Sequence, residues 1–262
     1  MDLPDPLVAR LRAAGCVYAE EEAALLRSAA TGAGLESLVR RRVAGEPLEV
    51  LVGWASFDGL RVATAPGVFV PRARSALLVR LAAEALPPGG VAVDLGCGTG
   101  ALGAALVHRR PDAEVHAAEV DPAAVACARR NLPPERVHEG DLFAALPVDL
   151  RGRVEVLVVN APYVPSGHVA LMPPEARDHE PLVALDGGAD GLDVQRRVAA
   201  GAAAWLGPAG VLVLETSRAQ ADATLALLAD AGLHPRLHRD EDLDATAAVA
   251  RVAPDRLASE PG

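Results

Sequence analysis

The sequence predicts an α/β fold, with a mostly parallel sheet of seven strands that ends in an antiparallel hairpin. The first observation is an alternation of short β-branched runs with helical segments from Val91 onward, which is typical of a parallel sheet covered by helices on both faces. The second is a glycine-rich loop that follows the first of these strands and opens a helix. Together they indicate a Rossmann-like sheet that binds a ligand at its strand ends.

A small helical domain is predicted over residues 1–45. Leu7, Leu11 and Ala14 recur at helical spacing, and three acidic residues at 20–22 open a second helix, where they complement the helix dipole. A connector over residues 46–70 follows. Its sequence VLVGWASFDGLRVAT has two alternating runs around Asp58-Gly59, which predicts a β-hairpin because that turn favours positive φ.

Residues 71–262 are predicted to form the main domain. A helix is expected over about 73–86, and further helices near 101–110, 122–131, 191–206 and 217–231. The parallel strands are predicted at VAVDLG, EVHAAEV, RVHEGD, VEVLVVN and GVLVLET. The final hairpin is expected from about His234 to Val252, around the polar turn Asp240-Glu241-Asp242.

The composition narrows the class of protein. The chain has 262 residues, 51% of them hydrophobic, and a net charge of −10, so a sequence-independent grip on nucleic acid is not expected. No stretch is apolar enough for a membrane span, and the three scattered cysteines indicate a reducing compartment, so the cytoplasm is the expected location. No metal site is predicted, since Pro235 separates His234 from His238 in an expected strand.

The glycine loop, VDLGCGTGALG, is the first candidate for ligand binding. Its glycines let the backbone turn tightly and lie close to a ligand. Asp94 precedes them, and a carboxylate there disfavours a phosphate and favours a cation, such as the ammonium group of S-adenosylmethionine. The residues expected to bind this cofactor here are Asp94, Gly96, Cys97, Gly98, Thr99 and Gly100.

Two further carboxylates follow the next two strands. Glu119 ends the second strand, where a carboxylate accepts hydrogen bonds from ribose hydroxyls, whereas Asp121, followed by Pro122, has the pattern of a helix N-cap. Asp141-Leu142 ends the third strand, where the aspartate can accept from an adenine amino group. The ends of three successive parallel strands meet in one crevice, so these residues jointly predict a site for a methyl donor.

The fourth parallel strand ends in Asn160-Ala161-Pro162-Tyr163. Asn160 Oδ1 and the carbonyl of Ala161 could accept both N–H bonds of a substrate amide, and Pro162 restrains where that carbonyl points. Tyr163 would form a wall of the pocket. About thirty residues rich in proline, glycine and charge then lead to the helix near Gly191, and we expect this long connection to form a rim over the site.

From about Leu35 to Val252 the chain resembles the HemK-like protein glutamine methyltransferases, which modify peptide chain release factors. The segments that carry the resemblance are RRVAGEPLEVLVGWASFDGLRV, VFVPR, VDLGCGTGALG, AEVDPAAVACARRN, GDLF, NAPY, ALDGGADGLDVQRRV and GVLVLE. The resemblance implies a class I S-adenosylmethionine-dependent methyltransferase fold. It also implies that the N-terminal helices recognise the protein substrate, and that Asn160, Ala161, Pro162 and Tyr163 hold its glutamine amide, with Asn160 also beside the cofactor.

The chain departs from the family pattern in three places. Ala161 replaces the first proline of Asn-Pro-Pro-Tyr. The segment Pro71-Arg72-Ala73-Arg74-Ser75-Ala76 replaces Pro-Arg-Pro-Glu-Thr-Glu, and Glu215-Thr216-Ser217 replaces Glu-Ile-Gly. The last two changes bear on the identity of the protein target, which the sequence leaves open together with the oligomeric state.

Two other functions fit the same motifs. Enzymes that methylate adenine N6 in nucleic acid also use an Asn-Pro-Pro-Tyr turn, but they usually bring a basic surface and stacking aromatic residues. A net charge of −10 and an aromatic content of 3% argue against that function. The other alternative is a non-catalytic protein that binds S-adenosylmethionine, and the altered residues around Ala73 and at Ala161 are the features that favour it.

Overall fold

The computed structural model of the protein describes residues 5–252. The strands are β1 (Trp54–Phe57), β2 (Leu60–Ala63), β3 (Val91–Leu95), β4 (Glu114–Glu119), β5 (Val137–Glu139), β6 (Val154–Val159), β7 (Leu206–Glu215), β8 (Leu233–Asp240) and β9 (Ala245–Val252). The helices are α1 (Pro6–Ala13), α2 (Ala19–Ala29), α3 (Gly32–Val43), α4 (Leu48–Val52), α5 (Ala76–Ala85), α6 (Ala101–Arg109), α7 (Pro122–Ala128), α8 (Pro174–His179), α9 (Asp193–Trp205) and α10 (Ala221–Asp230). Within residues 5–252, no helix combines the length and the apolar character that a membrane crossing requires.

The predicted sheet is confirmed. Seven strands lie in the order β5-β4-β3-β6-β7-β9-β8, and β9 pairs antiparallel with both of its neighbours. The other pairs, β5-β4, β4-β3, β3-β6 and β6-β7, are parallel. The carboxyl ends of these parallel strands therefore share one edge of the sheet. The strand order reverses at β3, because β4 and β5 lie on one side of it and β6 and β7 on the other.

The centre of the sheet is buried on both faces. All five residues of β3 are buried, because α9 and α10 cover one face while α5 and α6 cover the other. Val93 and Leu157 belong to the first core cluster, and Ala92 and Val156 to the second. A strand with two covered faces needs apolar side chains in both directions, which explains its nearly continuous Val and Leu runs.

The N-terminal helices pack on one apolar cluster that contains Leu11, Leu26, Val39 and Leu51. The cluster includes α4, so it extends past residue 45, where the helical domain was predicted to end. The sequence VLV at 50–52 was expected to begin the hairpin, and that prediction is wrong. Leu48, Leu51 and Val52 have helical spacing. Leu51 is buried in the cluster and the other two pack against it, so tertiary packing favours a helix there.

Arg42 connects these helices to the long connection after β6. Arg42 at the end of α3 donates from Nε to Glu22 of α2 at 2.6 Å, and its Nη1 lies 3.5 Å from Glu175 of α8. The long connection is thus not a plain loop, because it contains α8 and a bridge between Val164 and Asp186. The helical domain contacts this segment, which forms part of the rim of the site described below.

Asn131 fastens the β1-β2 hairpin to the main domain. Its Oδ1 accepts from Ala63 N at 2.8 Å, and its Nδ2 donates to the carbonyls of Ala63 at 3.0 Å and Thr99 at 2.8 Å. One side chain therefore ties the hairpin to the glycine-rich loop that precedes α6. The three bonds use both ends of the amide, so neither an apolar nor an anionic side chain can replace it.

We expect Asn131→Ala to lower the free energy of unfolding by about 1–3 kcal/mol, because it leaves partly buried backbone groups of Ala63 and Thr99 without their partners. Asn131→Asp should be at least as destabilising, since it places a carboxylate against two carbonyl oxygens. Urea denaturation at neutral pH measures both variants. An Asp variant as stable as the wild type would contradict the assigned hydrogen bonds.

Candidate active site

A cavity of about 270 Å³ opens at the carboxyl ends of the parallel strands. Its wall combines the glycine loop after β3, the ends of β4 and β5, the turn after β6 and part of the long connection. The predicted site residues in this wall are Gly96, Cys97, Gly98, Thr99, Glu119, Asp141, Leu142, Asn160, Ala161, Pro162 and Tyr163. Met172, Val183 and Leu185 extend it, so the long connection does form a rim, as expected.

The glycine loop leaves open space in front of its backbone. Gly96 and Gly98 have φ values of 72° and 56°, and a Cβ built on either would meet no atom within 4 Å. The backbone angle requires glycine here, and the open space leaves room for a ligand against the main chain. Gly100 is different, since its Cβ would lie 3.0 Å from Leu132 Cδ1, so it serves the packing of α6.

Glu119 at the end of β4 is held by backbone amides. Its Oε2 accepts from Gly98 N at 2.8 Å, while Oε1 accepts from Val120 N at 2.8 Å and Asp121 N at 3.0 Å. These bonds fix the carboxylate in the cavity wall and leave lone pairs for further donors, such as hydroxyl groups. Asp121 is the N-cap of α7, as predicted, because its Oδ1 accepts from Ala123 N at 2.8 Å.

Asp94 lies one layer below the cavity. It is fully buried, its Oδ2 accepts from Gly103 N of α6 at 2.8 Å, and its Oδ1 has no hydrogen-bond partner within residues 5–252. It does not form part of the wall, so the geometry does not support direct contact with a ligand's ammonium group. Burial, together with the charge of Glu119, raises the pKa of Asp94 to about 7.

Cys97 has the same electrostatic surroundings. Burial and the nearby carboxylates of Asp94 and Glu119 raise the pKa of its thiol well above the ordinary value. A thiol in such surroundings is not a nucleophile at neutral pH. Cys97 is therefore a small residue of the cavity wall without a nucleophilic role.

Asp141 and Leu142 form the wall beyond β5. Asp141 Oδ2 accepts from Arg197 Nη2 of α9 at 2.6 Å, and both side chains are about half exposed. Leu142 has a φ of 48°, a left-handed conformation that a leucine adopts only under strain. Such conformations concentrate at ligand sites, where the surrounding structure enforces them.

Residues 187–191 and Gln220 contact the turn after β6 on its far side from the cavity. Gly187 N donates to Val164 O at 2.8 Å, and Gln220 Nε2 donates to Tyr163 O at 2.9 Å. A Cβ on Gly191 would lie only 2.3 Å from Tyr163 O. Because the two backbone segments touch, the position of Asn160-Ala161-Pro162-Tyr163 is set by the Gly187–Gly191 segment as well as by β6.

A chain of polar side chains lies beside Asn160. Its Nδ2 donates to Ser75 Oγ at 3.1 Å, and Ser75 Oγ donates to Glu215 Oε2 at 2.5 Å. Arg74 Nε donates to Glu215 Oε1 at 3.1 Å, and Arg74 Nη2 donates to the Tyr163 hydroxyl at 2.5 Å. Sequence reasoning assigned roles to Asn160 and Tyr163 but not to the other three. Its only signal was that Arg74, Ser75 and Glu215 lie in segments that depart from the family pattern.

Tyr163 is not a base. Its hydroxyl accepts from Arg74 and lies 3.4 Å from Glu215 Oε1. Burial and the charge of Glu215 raise the pKa of Tyr163 above its ordinary value, so the side chain remains a neutral phenol. This part of the wall therefore presents the Asn160 amide, a neutral phenol and the guanidinium of Arg74, and Tyr163 does not act as a base.

Comparison with known proteins gives three kinds of match. Residues 59–172 match the family described as "Methyltransferase small domain". The release factor glutamine methyltransferase of Streptomyces coelicolor is 39% identical, over 77% of this chain and 75% of that protein. A 4-amino-L-phenylalanine/4-methylamino-L-phenylalanine methyltransferase of Streptomyces pristinaespiralis is also 39% identical, over 74% of this chain and 69% of its own length.

The fold has a counterpart among solved structures. A methyltransferase from Pyrococcus furiosus superimposes with a TM-score of 0.54, covering 73% of this chain and 88% of its own, at 18% identity. At that identity the similarity concerns the fold alone.

We expect Asp94→Asn to stabilise the protein more at pH 8 than at pH 5. The folded pKa of about 7 lies above the ordinary 3.8, so the wild type loses stability as pH rises from about 4 through 7. The asparagine can still accept from Gly103 N and carries no charge. Between pH 5 and pH 8 the stabilisation should grow by roughly 2–3 kcal/mol. Urea denaturation of both proteins at the two pH values measures it, and an equal difference at both would contradict the raised pKa.

Proposed function

The chain belongs to the family of release factor glutamine methyltransferases, and from that membership we propose how its own site works. It transfers a methyl group from S-adenosylmethionine to the side-chain amide nitrogen of a glutamine in a protein. The observation that supports this most directly is the position of Asn160 and Ala161. They lie in the wall of the same cavity as the glycine loop and Glu119, so a donor and an amide acceptor can meet there.

The residues of the cavity wall fit the methyl donor, S-adenosylmethionine. The open space before Gly96 and Gly98 accommodates a ligand close to the main chain, and the fixed carboxylate of Glu119 offers acceptors to ribose hydroxyls. Asp141 lies in the wall beyond β5, where it can accept from an adenine amino group after exchanging its exposed contact with Arg197. When bound, S-adenosylmethionine supplies a methyl group on a sulfonium, which needs no further activation by the protein.

The protein's task is therefore placement of the acceptor. An amide nitrogen is a poor nucleophile because its lone pair is shared with the carbonyl. Asn160 Oδ1 and the Ala161 carbonyl accept the two N–H bonds, hold the nitrogen still and stabilise the positive charge that grows on it. Orientation of this kind contributes about 7–11 kcal/mol in favourable cases. Ala161 is 3% exposed and Pro162 follows it, so its carbonyl remains restrained without the family's first proline.

No base is needed at the start, since the nitrogen becomes acidic only as it is methylated. The site agrees with this, because Tyr163 is held as a neutral phenol and Arg74 is paired with Glu215. The proton that leaves afterwards can pass to water through the open cavity mouth.

The protein acceptor we propose is the glutamine of the Gly-Gly-Gln loop of a peptide chain release factor, which the family membership supports. Recombinant release factor incubated with this protein and S-adenosylmethionine should gain the mass of one methyl group on that glutamine, located by tandem mass spectrometry. A release factor with asparagine in place of the glutamine is the matched control. Methylation at other sites only would contradict the proposed acceptor.

A second acceptor class deserves a test because of one observation. Arg74 projects a half-exposed guanidinium into the wall beside Tyr163, and its Nη1 makes no hydrogen bond within residues 5–252. A free amino acid with an aryl amine, like the substrate named for the Streptomyces pristinaespiralis relative, carries a carboxylate that such a group could bind. Incubation with 4-amino-L-phenylalanine in place of the release factor separates the two classes.

We expect Asn160→Ala to reduce methyl transfer at least about 100-fold, since it removes an acceptor aimed at the charge that develops during transfer. The dissociation constant for S-adenosylmethionine, measured by calorimetry, should change only a few-fold, because the glycine loop and Glu119 are untouched. An unchanged turnover number in this variant would refute the role assigned to Asn160.

Gly191→Ala should reduce transfer by about 100-fold, because the new Cβ would displace Tyr163 and the turn before it. The matched control is Gly152→Ala. Gly152 also has a positive φ, 73°, but its Cβ would meet nothing within 4 Å. Both variants should lose about 1–2 kcal/mol of stability from backbone strain. Gly191→Ala should lose more, because its Cβ also overlaps Tyr163 O and Gln220 Nε2, and only this variant should lose activity. Equal activities would show that the contact with Tyr163 does not matter.

A further inference from the structure

Two residues that lie far from Asn160 in the sequence, Ser75 and Glu215, bear on the orientation of its side-chain amide. Ser75 lies at the start of α5 and Glu215 at the end of β7, and both are buried, at 3% and 2% exposure. Asn160, Ser75 and Glu215 are joined in that order by hydrogen bonds of 3.1 and 2.5 Å. The question is which atom of the amide faces Ser75, since only the other one is free to meet a substrate.

The partners leave one answer. A carboxylate has no hydrogen to donate, so the single hydroxyl hydrogen of Ser75 must lie in the bond to Glu215. Arg74 Nε donates to the other oxygen of the same carboxylate, at 3.1 Å, the pairing expected for an ionised group. Ser75 Oγ therefore faces Asn160 with lone pairs only, and the amide atom opposite it must be the nitrogen.

This orientation leaves Asn160 Oδ1 available to a substrate. The oxygen points away from Ser75 and makes no hydrogen bond to the protein within residues 5–252, while Asn160 lies in the cavity wall. In this orientation the residue offers a substrate an acceptor. In the flipped orientation it would offer an NH2 group, which cannot accept an N–H bond and would oppose a nitrogen that becomes positive.

We propose that Ser75 and Glu215 are positioning residues that hold the Asn160 amide with Oδ1 towards the methyl acceptor. The inference rests on the proposed function for its consequence in catalysis, although the hydrogen-bond relay exists without substrate. Arg74 supports the relay from the cavity side by pairing with Glu215, and neither Ser75 nor Glu215 needs to touch the substrate. The relay selects acceptors that donate N–H bonds, which are amides and amines.

The relay can be tested without any activity. The chain contains two asparagines, Asn131 and Asn160, so labelling with ¹⁵N-asparagine gives two side-chain amide signals, and Asn160→Ala assigns them by loss of one. In Ser75→Ala, the Asn160 side-chain hydrogens should exchange with water about tenfold faster than in the wild type, as expected for the loss of one hydrogen bond. Asn131 should be unaffected, and Ser75→Thr, which keeps the hydroxyl, should restore the slow exchange.

The kinetic test uses the same variants. Ser75→Ala should lower the turnover number by about 10–100-fold, with the KM for S-adenosylmethionine close to wild type. Its melting temperature should fall, because the buried Glu215 carboxylate loses one hydrogen-bond donor. Ser75→Thr should recover most of the rate. Glu215→Gln should also lower it, since a glutamine can donate to Ser75 and allows the relay to reverse. Ser56→Ala, which removes an exposed hydroxyl from β1, is the matched control and should keep the full rate.

The outcomes test the relay and the proposed function separately. If the wild type methylates no acceptor but Ser75→Ala speeds Asn160 exchange, the proposed function fails and the relay stands. If the wild type is active but Ser75→Ala alters neither exchange nor turnover, the relay is overturned. A Ser75→Ala protein that does not fold leaves the decision to Glu215→Gln, where an unchanged turnover number also overturns it.

Discussion

The buried carboxylate of Glu215 organises the part of the cavity around Asn160, where the methyl acceptor is proposed to bind. We call this part the acceptor side. A carboxylate at 2% exposure would be strongly destabilising without partners, and its partners here come from elsewhere in the chain. Arg74 and Ser75 approach it from the start of α5, and Tyr163 from the turn after β6. Satisfying this one group therefore requires three segments to meet, and their meeting brings Ser75 against Asn160.

The donor side of the cavity, formed by the glycine loop and Glu119, is held in place mainly by backbone hydrogen bonds. Backbone amides of the glycine loop and of the β4 end fix Glu119, so its position follows from the course of the main chain and depends little on other side chains. Asp94 supports α6 from below through Gly103. The two sides thus differ in sensitivity, because the donor side tolerates exchange of neighbouring side chains, while the acceptor side relies on a few specific hydrogen bonds.

The rim connects the site to the N-terminal helices. Arg42, buried against Glu22, reaches Glu175 of α8, and Glu180, just after α8, accepts from Arg72 Nη2 at 2.6 Å and from Val70 N. Burial raises the pKa of Glu180 in spite of Arg72. The long connection is therefore held by ion pairs from two other segments, Arg42 at the end of α3 and Arg72 before α5.

The sequence by itself determined the sheet, the glycine loop and the turn after β6. Their signals are local: alternation of strands and helices, glycine at required backbone angles, and polar residues directly after buried runs. It misassigned residues 50–52, because a short apolar run fits strand or helix until packing against Leu11 and Leu26 decides. It placed Asp94 beside the ligand, since residue spacing does not show which layer a side chain enters. Only the tertiary structure brought Arg74, Ser75 and Glu215 to Asn160. Those contacts span from 85 to 141 positions of sequence, and no local pattern encodes which distant side chains will share a hydrogen bond.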